Sequence, residues 1–245
     1  MTTLFISDLH LDETRPDISR AFFEFLRDDA SKAQALYILG DFFESWIGDD
    51  DRSTLIDEVS LALKALTDSG VALYIMHGNR DFLIGQQFCA TVGGQLLSDP
   101  SVIQINGEAT LLMHGDSLCS DDQEYMRFRK MLRSPQWQQD ALAKPLEERR
   151  AIAKHLRMMS SEANSNKAED IMDVNLDDVS RAMQTHQCQR LIHGHTHRPN
   201  RHPMTIDGQP AERIVLGDWD SAVWVLRANN DNLKLEQHPF PSTSA

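Results

Sequence analysis

Side chains that bind metal ions recur along this chain in five short clusters. Two clusters place such residues two apart, Asp8 with His10 and His195 with His197, a spacing that turns both side chains of an extended segment the same way. One such pair alone is more often an exposed polar loop, but five clusters in one chain favour a shared site. The candidate metal ligands are Asp8, His10, Asp41, Asn79, His114, His195 and His197.

These candidates offer carboxylate, imidazole and amide donors but no sulfur. Such a mixed nitrogen and oxygen set suits Mn²⁺, with Fe²⁺ or Zn²⁺ as alternatives. Because there are too many donors for one ion, we expect two ions per chain, about 3.5–4 Å apart, that clamp a phosphate and lower the pKa of the attacking water. Asp41 is expected to bridge the two ions.

Each cluster follows a short apolar run of the kind typical of a buried strand. Amphipathic helical patterns lie between the first runs, over residues 18–30 and 54–67. Ligands bind beyond the carboxyl ends of strands in open α/β sheets. We therefore expect an α/β core with its site at the strand ends. The runs are residues 3–6, 35–39, 71–76, 110–113 and 191–192.

The alternation of strand and helix stops after the fourth cluster. Residues 121–170 form a long polar stretch with helical periodicity and no strand signal. We expect residues 1–120 and 171–245 to form the core, and residues 121–170 to form an inserted helical lid over the site. Apolar side chains of this stretch, such as Tyr125, Phe128 and Trp137, are candidates for an acyl-chain slot, although packing between lid helices explains them equally well.

Composition narrows the class of protein. The chain has 245 residues and a formal net charge of −13, with a sequence pI near 5.1, which argues against a general nucleic-acid partner. Three cysteines without a CxxC motif support neither a disulfide framework nor a thiolate zinc site. We see no secretory signal or membrane span in the sequence, so we expect a protein of the cytosol or of a membrane surface.

The order DxH, GD, GNRD, HGD and GHxH resembles the calcineurin-like metallophosphoesterases over about residues 1–220. The fuller strings resemble the branch of that family that acts on UDP-2,3-diacylglucosamine in lipid A biosynthesis. The resemblance implies a four-layer α/β/β/α sandwich, a Mn²⁺ pair, and hydrolysis of the pyrophosphate bond to UMP and 2,3-diacylglucosamine 1-phosphate. The strings are GDFFESWIGDD (40–50), HGNRDFLIG (77–85), HGDSLCSDD (114–122), HGHTHRP (193–199) and RIVLGDW (213–219).

The resemblance also assigns roles to individual positions. One ion would be held by Asp8, His10, Asp41 and His197, and the other by Asp41, Asn79, His114 and His195. It implies catalytic roles for Arg80 and His195, and a monomer attached peripherally to the cytoplasmic face of the bacterial inner membrane. The implied substrate contacts are Asn79, Arg80, Asp122, Ser160, Asn164, Lys167 and His195.

The spacing of four lid residues agrees with part of that assignment. Arg157, Ser160, Asn164 and Lys167 are three, four and three residues apart, so they share one face of a helix. Such a face suits a diphosphate sugar. The alternative is a solvated polar surface.

Arg80 departs from the wider superfamily, which usually has a histidine after the Gly-Asn pair. Arginine cannot act as an acid at neutral pH, but it can hold a phosphate charge bidentately. A phosphate monoester can leave as an anion without a proton, so Arg80 favours pyrophosphate cleavage over ester cleavage. The alternative is that Arg80 only pairs with Asp81.

Two other functions stay open at this point. One is another dinuclear metallophosphoesterase that acts on nucleotides or phosphoproteins, and the second is an inactive scaffold with the same fold. The seven candidate ligands are all present, which speaks against the scaffold. Arg80 and the long lid speak against the other phosphoesterase.

Overall fold

The computed structural model of this chain describes residues 2–165, 173–230 and 232–241. It contains two β-sheets that stack face to face, with helices on both outer faces. The strands are β1 (Thr3–Ile6), β2 (Ala35–Leu39), β3 (Ala72–Met76), β4 (Gln95–Leu97), β5 (Ser101–Ile105), β6 (Glu108–Leu112), β7 (Arg190–His193), β8 (Asn200–Ile206), β9 (Gln209–Val215), β10 (Ala222–Asn229) and β11 (Asn232–Pro239).

Seven α-helices accompany these strands in the described part of the chain. Four belong to the core, and the other three follow one another between β6 and the last core helix. The core helices are α1 (Pro16–Asp28), α2 (Thr54–Asp68), α3 (Gln86–Val92) and α7 (Leu176–Thr185), and the consecutive ones are α4 (Gln123–Leu132), α5 (Pro135–Leu142) and α6 (Leu146–Ser165).

The strand order directs several carboxyl ends to one edge of the sandwich. The first sheet has the order β11-β10-β1-β2-β3-β4, in which β1 to β4 run parallel. The second sheet has the order β5-β6-β7-β9-β8, in which β6, β7 and β9 run parallel. The candidate ligands follow β1, β2, β3, β6 and β7, so they all lie at carboxyl ends of parallel strands.

The core has three layers of packed side chains. Between the sheets, Phe5, Leu39 and Met76 pack with residues of the second sheet such as Ile192 and Ile214. The outer face of the first sheet packs against α1, α2 and α3, and that of the second sheet packs against α7. The predicted α/β/β/α architecture is therefore confirmed. Both faces of β1 and β2 are covered, which explains why their sequences are continuous apolar runs.

Helices α1 and α2 begin at residues that suit a helix N-terminus. Pro16 occupies the first turn of α1, where its missing N–H removes no hydrogen bond. Ser53 caps α2, because its side-chain oxygen accepts a hydrogen bond from the N–H of Ile56 at 3.2 Å. Both helices lie within two residues of the predicted patterns at 18–30 and 54–67.

We call α4, α5 and α6, residues 123–165, the helical insertion. It is tied to the core by buried polar contacts. Arg149 of α6 is only 6% exposed and donates to the carbonyl oxygen of Ile47 at 2.8 Å and to Asp50 Oδ1 at 2.7 Å. These contacts hold the start of α6 against the loop that follows β2. In the part of the chain described here, no helix is both long and apolar enough to cross a membrane.

Candidate metal centre

The structure brings the seven candidate ligands together in one cleft. Their titratable members form two groups, in each of which three ligand atoms lie within 4.8 Å of one another. We call Asp8, His10 and His197 the outer triad, and Asp41, His114 and His195 the inner triad. Asn79 joins the inner triad, because its Oδ1 lies 2.9 Å from His114 Nε2.

Asp41 lies between the two triads. Its Oδ2 is 3.8 Å from His10 Nε2, and its Oδ1 is 3.8 Å from His114 Nε2. The backbone N–H of Arg80 donates to Oδ1 at 2.8 Å and fixes the orientation of the carboxylate. One buried side chain therefore faces both groups, which is the arrangement that a bridging carboxylate requires.

The backbone of the candidate ligands is strained. In the described residues, eight non-glycine residues have a positive φ, and five of them belong to the two triads. The left-handed region is uncommon for such residues, and each costs roughly 1–3 kcal/mol that the surrounding fold must offset. Such strain concentrates at functional sites. The five φ values are 55° for Asp8, 50° for His10, 49° for Asp41, 68° for His195 and 54° for His197.

Two glycines let the backbone approach the ligand side chains. A Cβ atom on Gly78 would lie 2.1 Å from Asp41 Oδ1, and one on Gly194 would lie 2.2 Å from Asp8 Oδ2. Any larger residue would displace the carboxylates. This explains the glycine in the GN and GH motifs.

The imidazoles are oriented by different groups in the two triads. His114 Nδ1 lies 2.9 Å from the carbonyl oxygen of Leu39. In the outer triad, His10 Nδ1 lies 2.7 Å from Glu44 Oε2, and His197 Nδ1 lies 3.5 Å from Asp218 Oδ2. Carbonyl and carboxylate oxygens accept hydrogen bonds, so Nδ1 of His114 and His10 carries a proton, and Nε2 is the nitrogen that faces the centre and would bind an ion in the neutral imidazole.

Electrostatics give the cluster a strong preference for cations. Burial opposes charge on His114, but Asp41, Asp8 and Asp116 outweigh burial and raise the pKa of His114 to about 9. Burial also opposes charge on His197, yet Asp8 raises the pKa of His197 to about 8. Burial, together with His114, lowers the pKa of His195 to about 4, so His195 is a neutral donor. These donors fit a pair of divalent ions.

The side chain of Arg80 points into the cleft. Its Nε is buried and has no hydrogen-bond partner among the residues that the structure describes. Asp81 does not take that place, because its carboxylate accepts the backbone N–H groups of Gly78 and Phe42, each at 2.7 Å. Asp81 holds the loops after β2 and β3 together, and the alternative pairing of Arg80 with Asp81 is not observed.

Asp116 connects the centre to the helical insertion. It is fully buried and accepts hydrogen bonds from Arg129 Nε at 2.7 Å and from the Tyr125 hydroxyl at 3.0 Å. Burial alone would raise the pKa of Asp116, but His114, Arg129 and Arg133 outweigh it and hold this pKa well below its usual range. The Tyr125 ring in turn stacks at 6.0 Å on the ring of His195. Helix α4 is thereby fixed beside the inner triad.

Glu44 makes the second connection to the insertion. Besides its contact with His10, its carboxylate forms an ion pair with Arg157 of α6. Sequence reasoning did not single out Glu44 or Asp218, although each lies in a motif string near the triads. A carboxylate three residues after Asp41 was the available signal for Glu44.

The predicted substrate contacts on the insertion are described only in part. Asp122 caps α4, where its Oδ1 accepts the N–H of Tyr125 at 3.0 Å. Ser160 and Asn164 lie in the last turns of α6, and only their backbone is described. Lys167 lies outside the described residues.

Two cavities meet at the metal centre. The insertion cavity, of about 190 Å³, lies under the insertion, and the strand-end cavity, of about 550 Å³, lies beside Asp8, His10 and His197. Apolar side chains dominate the lining of the insertion cavity: Phe82, Phe128, Leu132, Trp137, Ile152 and Leu156. Both cavities are lined by Glu44, Ser45, Arg80 and Arg157, which therefore mark their junction.

Comparison with known proteins agrees with this geometry. The family described as calcineurin-like phosphoesterase matches residues 1–199. A protein of Marinobacter nauticus named UDP-2,3-diacylglucosamine hydrolase is 53% identical over 241 residues, which cover 98% of this chain and 99% of that protein. A protein of the same name from Cellvibrio japonicus is 54% identical, covering 96% and 98% of the two chains. Another from Pseudomonas aeruginosa is 52% identical, covering 98% and 100%.

Proposed function

Since the chain belongs to the calcineurin-like phosphoesterase family, we propose that it hydrolyses the pyrophosphate bond of UDP-2,3-diacylglucosamine. The products are UMP and 2,3-diacylglucosamine 1-phosphate, and the reaction is a step of lipid A biosynthesis. Relatives that are 52–54% identical over nearly their whole length carry the name of this activity. The structural observation that carries the proposal is the apolar insertion cavity that opens at Arg80, directly beside the two triads. A phosphoesterase for small polar substrates does not need such a cavity.

The family implies divalent metal ions, and we propose two Mn²⁺ per chain, with Fe²⁺ or Zn²⁺ as alternatives. Asp8, His10, Asp41 and His197 would hold one ion, and Asp41, Asn79, His114 and His195 the other. When bound, the ions supply Lewis acidity that clamps phosphate oxygens and makes a water molecule more acidic.

Arg80 has the role of holding the departing phosphate. Among the residues that the structure describes, its buried Nε has no hydrogen-bond partner, so a phosphate oxygen would satisfy this donor. A guanidinium binds the two oxygens of a phosphate in parallel and stays charged throughout the reaction. The leaving group is a phosphate monoester that needs no proton, so a permanent cation suits this position better than an acid. His195 and Asn79 face the same phosphates from the inner triad.

The helical insertion acts as a lid that selects the lipid. The insertion cavity takes the acyl chains, and Asp122, Ser160, Asn164 and Lys167 contact the sugar and its phosphate. Exposed apolar side chains of the insertion, Met131, Leu142, Met158 and Met159, suit a peripheral position on the cytoplasmic face of the inner membrane. Basic residues such as Arg127 and Lys130 on α4 would add attraction to anionic lipid. We propose that the protein works as a monomer.

A substrate panel tests the proposal. The purified protein with Mn²⁺ is incubated with UDP-2,3-diacylglucosamine, UDP-N-acetylglucosamine, cyclic AMP and a phosphopeptide, and released UMP or phosphate is followed. We expect rapid UMP release from the diacylated substrate only, because a remote acyl chain supplies binding energy that a truncated substrate lacks. Faster turnover of cyclic AMP or the phosphopeptide would instead support another metallophosphoesterase, and no turnover of any substrate would support an inactive scaffold.

A further inference from the structure

The two cavities that meet at the metal centre differ in chemistry. The insertion cavity has many aromatic and aliphatic side chains in its lining, whereas the strand-end cavity is lined mainly by charged and polar ones, among them Asp12, Thr14, Arg15 and Asp220. The substrate of the proposed function has the same asymmetry, with acyl chains on one side of its pyrophosphate and a nucleoside on the other. The four residues at the junction of the cavities lie where the pyrophosphate must pass.

We propose that the strand-end cavity is the nucleoside subsite, in which the carboxylates of Asp12 and Asp220 accept hydrogen bonds from the ribose hydroxyls of the UMP moiety. The inference rests on the proposed function, because it assigns the remaining half of that substrate. The volume of about 550 Å³ falls within the range of about 300–1,000 Å³ that is common for small-molecule sites. The insertion cavity suits the nucleoside less well, since a ribose there would face many aromatic and aliphatic side chains.

The rim of the strand-end cavity is held in place by Arg15. On one side its Nη1 donates to Asp220 Oδ1 at 2.7 Å, and its Nη2 donates to the Asp220 carbonyl oxygen at 2.7 Å. On the other side its Nε and Nη2 donate to the two carboxylate oxygens of Asp17 at 3.1 and 2.8 Å. Asp17 does not contribute to the lining of this cavity in the described part of the chain, whereas Arg15 and Asp220 do.

Both rim carboxylates keep an oxygen available for a ligand. Asp12 Oδ1 accepts hydrogen bonds from the backbone N–H and the hydroxyl of Thr14, at 2.9 and 2.5 Å. Asp220 Oδ1 accepts from Arg15. Within the described residues, Oδ2 of Asp12 and of Asp220 has no hydrogen-bond donor. A ribose presents two adjacent hydroxyl groups, and these carboxylate oxygens can accept a hydrogen bond from each of them.

The charge of the cavity selects against a second phosphate and for a neutral group. Asp218 lies on its walls together with Asp12 and Asp220, and Arg15 is already paired with two carboxylates. An anion placed at this rim would be repelled, whereas the ribose hydroxyls and the uracil N3–H are neutral donors. The phosphates instead lie at the triads and at Arg80, at the inner end of the cavity. The order of chemical groups along the cleft thus matches the order along the substrate.

Product inhibition tests the assignment with a matched pair of variants. The Mn²⁺-loaded protein cleaves UDP-2,3-diacylglucosamine in the presence of UMP, dUMP or 2,3-diacylglucosamine 1-phosphate, and each inhibition constant is measured. Asp220→Ala and Asp17→Asn both remove a carboxylate partner of Arg15, but only Asp220 lines the cavity. Asp12→Asn serves as a second test on the opposite rim.

We expect the inhibition constant of UMP to rise about tenfold in Asp220→Ala and Asp12→Asn, as the loss of a hydrogen bond to a charged group commonly causes. The constant for the lipid product should stay within about twofold, and Asp17→Asn should leave both constants unchanged. The wild type should bind UMP more tightly than dUMP, and this preference should shrink in at least one rim variant.

Other results overturn the assignment. If Asp220→Ala behaves like Asp17→Asn, or if the rim variants weaken the lipid product rather than UMP, the nucleoside does not bind at this rim. If the wild type cleaves the lipid substrate, but UMP inhibits both rim variants as strongly as it inhibits the wild type, only the subsite is refuted. A wild type that does not cleave UDP-2,3-diacylglucosamine would refute the proposed function itself.

Discussion

The inner and outer triads contain the same kinds of donor in different surroundings. The side chain of His114 in the inner triad is fully buried, whereas that of His197 in the outer triad is 40% exposed. A backbone carbonyl orients His114, but a side-chain carboxylate, Glu44, orients His10. The orientation of His114 therefore depends on the backbone of the sheets, whereas the orientation of His10 depends on a side chain that is itself paired with Arg157 of the helical insertion. An ion at the outer triad should exchange more readily than one at the inner triad.

Removal of Asp41 should weaken metal binding at both triads. Asp41→Ala takes a carboxylate oxygen from both groups at once, so we expect turnover to fall by at least about 10³-fold and both ions to bind more weakly. Asn79→Ala changes only the inner triad and should lose less metal. Elemental analysis after gel filtration measures the bound ions. Two tightly held ions in Asp41→Ala would contradict the bridging role.

Arg80 lies beside both triads but is assigned to neither ion. We expect Arg80→Ala to lower kcat by about 10²-fold, as loss of a preorganised charge donor does, while the metal content stays unchanged. Arg80→His should not restore wild-type kcat, because the position calls for a fixed charge rather than an acid. A near-normal kcat in Arg80→Ala would make the residue structural.

Glu44 offers a way to change the outer triad alone. Glu44→Gln weakens the acceptor for His10 Nδ1, and loss of such a partner commonly lowers metal affinity by about 10- to 100-fold. Titration of the metal-free protein with Mn²⁺ should show one weakened site and one unchanged site. Asp218→Asn is the matched control, since its contact with His197 is longer, at 3.5 Å, and its effect should be smaller. Equal weakening of both sites by Glu44→Gln would mean that the triads are not independent.

Proton release should reveal a smaller difference between the donors. With pKa values of about 9 for His114 and about 8 for His197, both imidazoles are protonated at pH 7 in the metal-free protein, whereas His195, at about 4, is neutral. Only neutral imidazole binds a metal, so loading both triads at pH 7 should release about two protons. Metal affinity should therefore rise with pH up to about 9 and then level off.

Calorimetry in two buffers of different ionisation enthalpy measures this release. At about two pH units above the pKa of His114 the release from these histidines should disappear, because both imidazoles are already neutral there. Proton release at pH 7 that matches the release at high pH would show that these histidines are neutral before metal binding.

Much of the core followed from local sequence patterns. Strands β1 and β2 were predicted with the bounds that the structure has, because a strand buried on both faces must be continuously apolar. Strands β4, β5 and β8 to β11 were not predicted. Several of them are short or expose one face, as in β8, where exposed and partly buried residues alternate along a polar sequence. The insertion was predicted as helical because no strand pattern interrupts residues 121–170.

The types and order of the candidate ligands are a property of the sequence, since the metal-binding side chains and the strand ends that carry them are local features. The group that faces each ligand across the cleft is not a property of the local sequence. Glu44 reaches His10 over 34 positions, Asp218 reaches His197 from another strand end, and Arg157 reaches Glu44 from the insertion. The burial of Arg80 Nε, the positive φ values of the triads and the different linings of the two cavities likewise exist only after the layers pack. A pattern of residue types fixes which donors are available, but the partner of a donor is set by distances between segments far apart in the chain, and those distances are decided by the tertiary fold.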